Sequence, residues 1–107
     1  MPTLEASGTQ AATIGTEHTL TTLTTNKTFV LVGDTAAMVN GDELELRVKT
    51  KVLTGGVLRQ AYLGTYRNFQ ASPVKLSVPL PSDIEFVATL KQTAGTGRSF
   101  PWKVLSI

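Results

Sequence analysis

Residues 41–68, GDELELRVKTKVLTGGVLRQAYLGTYRN, constrain the fold of this chain more than any other stretch. Leu44, Leu46, Val48, Thr50 and Val52 alternate without a break with Glu43, Glu45, Arg47, Lys49 and Lys51. Side chains alternate sides along a strand, so the pattern predicts a long strand with one buried face and one wet face. Thr54-Gly55-Gly56-Val57 then supplies residues that tolerate the positive φ of a tight turn. An antiparallel return from residue 58 to residue 69 follows. A two-residue loop at Gly55-Gly56 would set Val48 opposite Leu63 and place Arg59 and Arg67 on the apolar face. A longer loop or a bulge turns Leu58, Tyr62 and Tyr66 inward and brings Glu43 to Arg67. The second register is preferred, because it buries aromatics and leaves charges in water.

The rest of the chain carries the same kind of signal. KTFVLV at 27–32 is a short apolar run bounded by Asn26 and Gly33, as expected of a central strand covered on both faces. Residues 34–39 could form one helical turn with Asp34 as its cap, and Asn40-Gly41-Asp42 marks a turn. From 74 to 80, Val74, Leu76, Val78 and Leu80 fall on one side and Lys75 and Ser77 on the other. Pro79 and Pro81 cannot donate to a ladder, which assigns that strand to a sheet edge. Ile84, Phe86, Ala88 and Leu90 form the next inward row; Phe100, Trp102 and Val104 form the last. Residues 94–97 read as a hairpin turn.

Residues 1–26 differ in composition, with nine threonines among 26 residues and only Leu4, Ile14, Leu20 and Leu23 as bulky anchors. Threonine favours extended backbone, but so few large apolar groups do not build a core of their own. The expected organisation is an extended N-terminal arm over 1–26, with a strand possible near 18–24, and a body over 27–107. That body is expected to be an all-β, antiparallel β-sandwich or small barrel of six to seven strands.

Charge is unevenly distributed. Residues 1–46 hold one base against six acids, a balance of −5, while residues 47–107 hold nine bases against two acids, a balance of +7. Such halves can neutralise each other within one body or between neighbouring copies. The chain has no cysteine, which excludes disulfides, thiolate catalysis and zinc–thiolate sites. No apolar run approaches the ~20 residues of a membrane-spanning helix. Neither a basic start nor an apolar stretch of the secretory type opens the sequence, so the expectation is a soluble protein that acts where it is made or leaves in a larger particle.

The search for chemistry returns little. His18 is the single histidine and sits in the threonine-rich segment, away from any nucleophile and orienting acid. Glu43 and Glu45 share a strand face, as a glycosidase pair could, but they run into Arg47, Lys49 and Lys51 as an ordinary solvated face. Asp34, Asn40 and Asp42 lack the spacing of the twelve-residue calcium loop. Gly95-Thr96-Gly97-Arg98 precedes a strand with Pro101, whereas a phosphate loop precedes a helix. Arg47, Lys49, Lys51, Arg59 and Arg67 could make a basic stripe, but the preferred register turns the tyrosines that would stack on bases inward. Trp102 is the one candidate sugar platform, and its phase with Phe100 and Val104 assigns it to the core. No catalytic residue, cofactor, metal, nucleic acid or membrane contact is assigned.

Three blocks, GDELELRVKTKVLTGG, SPVKLSVPLPSDIEF and TLKQTAGTGRSFPWKVL, resemble small β-rich proteins encoded among the structural genes of tailed bacteriophages and prophages. The similarity covers roughly residues 28–105, and that family offers no catalytic or binding residues to carry over. The resemblance implies a non-enzymatic virion component, a capsid decoration, cement or head–tail subunit, made in the bacterial cytoplasm and located in the virion. It implies the major capsid protein or other virion proteins as partners, and homo-oligomers. Candidate assembly contacts are Leu4 and Ile14 in the arm, Arg47, Lys49, Lys51 and Lys75 among the excess bases, and Pro79 on the edge strand. The alternative function is a small β-sandwich module that binds carbohydrate on a cell or host surface.

Overall fold

The computed structural model describes residues 2–107. Those residues form nine strands and no helix: β1 (Thr3–Ala11), β2 (Glu17–Leu23), β3 (Lys27–Asp34), β4 (Glu43–Thr50), β5 (Arg59–Arg67), β6 (Val74–Leu76), β7 (Leu80–Ser82), β8 (Phe86–Ala94) and β9 (Ser99–Ser106). They make two antiparallel sheets. One is ordered β1-β9-β3-β6, with β7 also on β3; the other is ordered β2-β8-β4-β5.

The inner rows of the two sheets share one core. Phe29, Leu31, Phe100 and Val104 from the first sheet meet Leu44, Leu46, Val48, Phe86, Ala88 and Leu90 from the second. The rings of Phe29 and Phe86 touch across the gap, with centroids 4.8 Å apart. Fully burying a side chain of this size contributes ~2–3 kcal/mol, so these rows supply most of what orders the chain. Trp102 packs against the same core on the β9 row. Gly8 stands opposite it on β1, and a Cβ there would meet the indole at 3.3 Å, so the ring packs directly against the glycine backbone.

The first strand pair follows the preferred register. Glu43 pairs with Arg67, Leu44 with Tyr66 and Val48 with Tyr62, and a bulge between Val48 and Lys49 shifts the ladder by one residue. The bulge restores the inward phase that a two-residue loop would have lost. Residues 51–58 form the connection, closed by a turn in which Gly56 N–H donates to the Leu53 carbonyl at 2.9 Å. As expected for its apolar run, β3 is central: residues 29–33 are all buried.

Four expectations are corrected. The threonine-rich segment expected to be an arm is folded into the body: β1 pairs with β9 along its length, and β2 pairs with β8. A threonine-rich strand with few bulky anchors folds when a neighbour supplies both the ladder and the core. The strand count is therefore nine, not six to seven, because β1 is added and residues 74–82 divide into β6 and β7. Residues 34–39 are a turn rather than a helical one, held by Ala36 N–H on Asp34 Oδ1 at 2.9 Å. Finally, residues 94–97 do not close a hairpin, since β8 and β9 lie in different sheets and the loop carries the chain between them.

One end of the body is tied by a polar knot. Asp42 is buried, and its carboxylate accepts Val39 N–H at 3.0 Å, Thr96 N–H at 3.3 Å and Arg98 Nε–H at 3.1 Å. Burial opposes its ionisation, but those three donors outweigh it and hold the Asp42 carboxyl below its ordinary value. Gly95 has φ +91°, and a Cβ there would overlap Asp42. Gln92, also buried, donates to the carbonyls of Ala94 and Thr96 and accepts Arg98 N–H. The loops after β1, β3, β5 and β8 meet at this knot. At the opposite end, Thr50 and Leu23 flank Phe86, and the 51–58 loop projects.

Candidate assembly surface

Strand alternation and register fix which residues point away from the core. On the outward face of the first sheet, Leu4 lies beside Leu105 and Leu105 beside Val30; Ser7 lies beside Lys103, Lys103 beside Val32, and Val32 beside Leu76; Asp34 lies beside Val74. Val30 and Val32 at the centre are buried. Around them Leu4 (58%), Val74 (55%), Leu76 (58%) and Val78 (55%) each expose more than half of their surface. A contiguous aliphatic face of this kind is uncommon on a chain that works alone. It contains a groove of about 320 Å³ lined by Leu4, Val32, Val74, Pro101, Asp34 and Lys103, among others.

Alternation sets the row from 74 to 78 on one side, and the structure turns that side away from the core. Ser77, not Leu76, faces inward: its N–H donates to the Leu31 carbonyl at 2.8 Å, and its Oγ accepts Leu31 N–H at 3.0 Å. Leu31 is an inward core residue, so its neighbour Ser77 must be inward as well, and Val74, Leu76 and Val78 are left outside. Sequence reasoning missed them as surface residues. The available signal was the short polar Ser77 between two prolines and a lysine, which mark an edge where the inward row need not be apolar.

The outward face of the second sheet is charged. Glu17 Oε2 accepts Thr89 Oγ1–H at 2.6 Å and Lys49 Nζ–H at 3.1 Å, and Arg47 donates from Nη2 to Glu45 at 2.9 Å. Arg67 pairs with Glu43 at 3.3 Å and Lys51 with Glu85 at 3.4 Å. The Thr89 hydroxyl, and then Lys49 and Arg47, hold the Glu17 carboxyl below its ordinary value against the cost of partial burial. Glu17, Asp42, Glu43 and Glu45 from the acidic half are each paired with a base from the basic half. Part of the charge asymmetry is thus met inside one chain, while Asp34, Arg59, Lys75, Lys91 and Lys103 enter no ion pair among the described residues.

Of the residues singled out from sequence, Leu4 lines the apolar groove and Pro79 lies exposed between β6 and β7, on the same sheet. Ile14 is exposed in the turn after β1. Arg47, Lys49 and Lys51 are engaged by the chain's own carboxylates on the other sheet. Lys75 reaches inward to lie 5.2 Å from the centre of the Tyr66 ring. Tyr66 itself is half-buried, and burial with the neighbouring Tyr62 hydroxyl pushes its phenol well up. The candidates are therefore scattered: Leu4 falls on the apolar face, Arg47, Lys49 and Lys51 on the charged one, Ile14 and Pro79 in connections, and Lys75 inward.

The chemistry-bearing residues have local tasks. His18 Nε2 accepts Thr13 N–H at 3.1 Å and closes the turn between β1 and β2. Glu43 and Glu45 are tied to Arg67 and Arg47, and Trp102 stands on the core row rather than on an open platform. Among the described residues no three His, Asp or Glu side chains group closely enough to hold a metal ion. Val52, expected in the buried row of the long strand, is instead 80% exposed, because β4 ends at Thr50 and the chain leaves the sheet; Leu53 (71%) and Val57 (66%) are exposed beside it in the 51–58 tip. No family model, curated protein or solved structure matches this chain.

Proposed function

We propose that the two sheets form a β-sandwich that serves as a non-enzymatic structural subunit of a bacteriophage particle. Within that class, a capsid decoration or cement subunit, or a head–tail subunit, is the reading. Its partners are the major capsid protein, other virion proteins and further copies of itself. The observation that carries the proposal is the outward face of the first sheet, where Leu4, Val74, Leu76 and Val78 surround buried Val30 and Val32. An aliphatic face open to water gains ~25 cal/mol for each Å² that a partner covers. The resemblance of residues 28–105 to phage structural proteins supplies the kind of partner, and a rigid all-β body suits a part repeated many times in a shell.

The test is made on particles released by cells that encode the chain, purified on a density gradient. The chain is expected to band with the shell in fixed proportion to the major capsid protein. Recovery of the chain only at the top of the gradient, with intact particles below it, would sink the proposal.

A further inference from the structure

Asn40-Gly41 is the one place where the chain joins an asparagine to a glycine; Asn26 precedes lysine and Asn68 precedes phenylalanine. Such a pair is chemically unstable in an open chain. The backbone nitrogen after an asparagine can attack its side-chain carboxamide, and glycine, with no Cβ, leaves that nitrogen unshielded. In the folded chain the pair sits exposed in the turn from Val39 to Asp42. Asp42 N–H closes that turn on the Val39 carbonyl at 3.1 Å, and Gly41 takes φ +98° within it.

The end of β5 holds both reacting groups. Gly41 N–H donates to Asn68 Oδ1 at 2.9 Å, and Asn40 Oδ1 accepts Phe69 N–H at 3.3 Å. Each asparagine oxygen thus takes the backbone N–H of the residue that follows the other asparagine. Asn68 N–H also donates to the Asp42 carbonyl at 2.8 Å. Its φ of 63° is the one positive value among the described non-glycine residues, a conformation that asparagine tolerates better than most.

We infer that Asn40 is a site of spontaneous backbone isomerisation, that Asn68 keeps it latched, and that conversion undoes the Asp42 knot. When the clasp opens, the Gly41 nitrogen gives up its proton and bonds to Asn40 Cγ. The Cγ–Nδ2 bond breaks, and ammonia leaves with that proton. Water then opens the five-membered imide at either carbonyl. Opening at Cγ leaves an aspartate in an unchanged chain. Opening at the backbone carbonyl routes the chain through Cβ and Cγ and lengthens it by one methylene between residues 40 and 41. That methylene falls inside the turn that sets Asp42 in place, where its carboxylate accepts Val39 N–H at 3.0 Å and Arg98 Nε–H at 3.1 Å. The inference is independent of the particle-subunit reading and stands or falls by itself.

Purified chains are aged at mildly alkaline pH, digested with trypsin and weighed. The peptide from Thr28 to Arg47 carries the readout, because Asn40 is its one amide side chain. Folded wild type is expected to convert more slowly than the same chain unfolded in urea. Asn68 is exposed, and Asn68→Gly removes the acceptor without straining the positive φ. That variant should convert at least fivefold faster than folded wild type, about the factor that one hydrogen bond supplies. Asn68→Asp keeps an acceptor oxygen and should stay within twofold of wild type. Thr89→Val, which loosens the fold at the Glu17 bond instead, should also stay within twofold. Asn68→Gly no faster than wild type, or Thr89→Val as fast as Asn68→Gly, would overturn the latch. The isoaspartyl chain should melt several degrees below an Asn40→Asp variant, which has the same charge and no added methylene. Equal melting would overturn the effect on the knot.

Discussion

Val30 and Val32 at the centre of the five-stranded sheet, and Val87 and Thr89 at the centre of the four-stranded sheet, all point away from the core, and all are buried. Their covers differ. Lys49 is the cross-strand neighbour of Val87 and Arg47 that of Thr89, so long charged side chains lay their stems over the centre and keep their heads in water. On the first sheet one neighbour of Val32 is likewise a lysine, Lys103, but the rest of the cover is Leu105 and Leu76 with Leu4 and Val78 near them, and of these Leu4, Leu76 and Val78 are themselves more than half exposed. A face covered by paired charges is complete alone, and a partner there would have to strip water from an ion network. A face covered by aliphatics keeps apolar surface in water, at a cost of ~25 cal/mol per Å².

The largest effect separates the two faces by association. Leu4→Lys with Leu76→Glu puts charge at two corners of the apolar face, and binding to particles or to further copies is expected to fall about 100-fold, or about 2.7 kcal/mol. Both sites are more than half exposed, so the melting temperature of the isolated chain should move by only a few degrees. Lys49→Ala on the charged face should leave association within threefold. Equal losses from both changes, read by co-sedimentation, would dissolve the contrast.

Much of the second sheet was readable from residues alone, and the reasons are local. The alternation over 43–50 carries apolar and charged partners in strict sequence, so its phase admits one answer, and the need to bury Tyr62 and Tyr66 selects the bulged register. The apolar surface was not readable in the same way. Val74, Leu76 and Val78 alternate as cleanly as Leu44, Leu46 and Val48, but what decides their phase is the hydrogen bonds of Ser77 to Leu31, 46 residues away in sequence. Periodicity states that a row shares a face and is silent on which face it is. The threonine-rich segment misled for a related reason: β1 has hardly any core of its own and is held by Phe100, Trp102 and Val104 of a strand near the other end of the chain.

A smaller effect tests whether the charged face is held by its own bonds. Thr89→Val keeps the shape and removes the hydroxyl that donates to Glu17 at 2.6 Å. A hydrogen bond to an ionised acceptor contributes about 1.5 kcal/mol or more, and a loss of about that size is expected in urea unfolding at pH 7. No loss would mean that the face is held by aliphatic stems alone.

Acid gives the same face a second reading. The Glu17 carboxyl is held below its ordinary value of 4.5, first by the Thr89 hydroxyl and then by Lys49 and Arg47. A lowered folded value means that the unfolded chain takes up the proton more readily, so this stability is whole above pH 4.5 and is lost as pH falls through the folded value. Glu17→Gln should flatten the fall in stability over that acid range relative to wild type while the apolar face keeps its association. Glu5 and Asp42 are lowered too and will keep part of the slope, so the readout is the difference between the two curves. Identical curves would detach Glu17 from the stability of this face.

The smallest effect distinguishes the stem of Lys49 from its charge. Lys49→Met keeps a long aliphatic chain over Val87 and loses the ion pair with Glu17, which is partly exposed and contributes at most about 0.5 kcal/mol. Lys49→Ala removes the stem as well and uncovers Val87, for a further ~1 kcal/mol of lost apolar cover. The expected order in urea unfolding is therefore wild type, then Met slightly below it, then Ala clearly lower. The gap between Met and Ala should stay unchanged from about 0.05 to ~1 M salt, because apolar cover is not screened. Should Met fall as far as Ala, charge rather than stem would be what covers the second sheet, and the two faces would differ in kind more deeply than their shared burial of a central pair suggests.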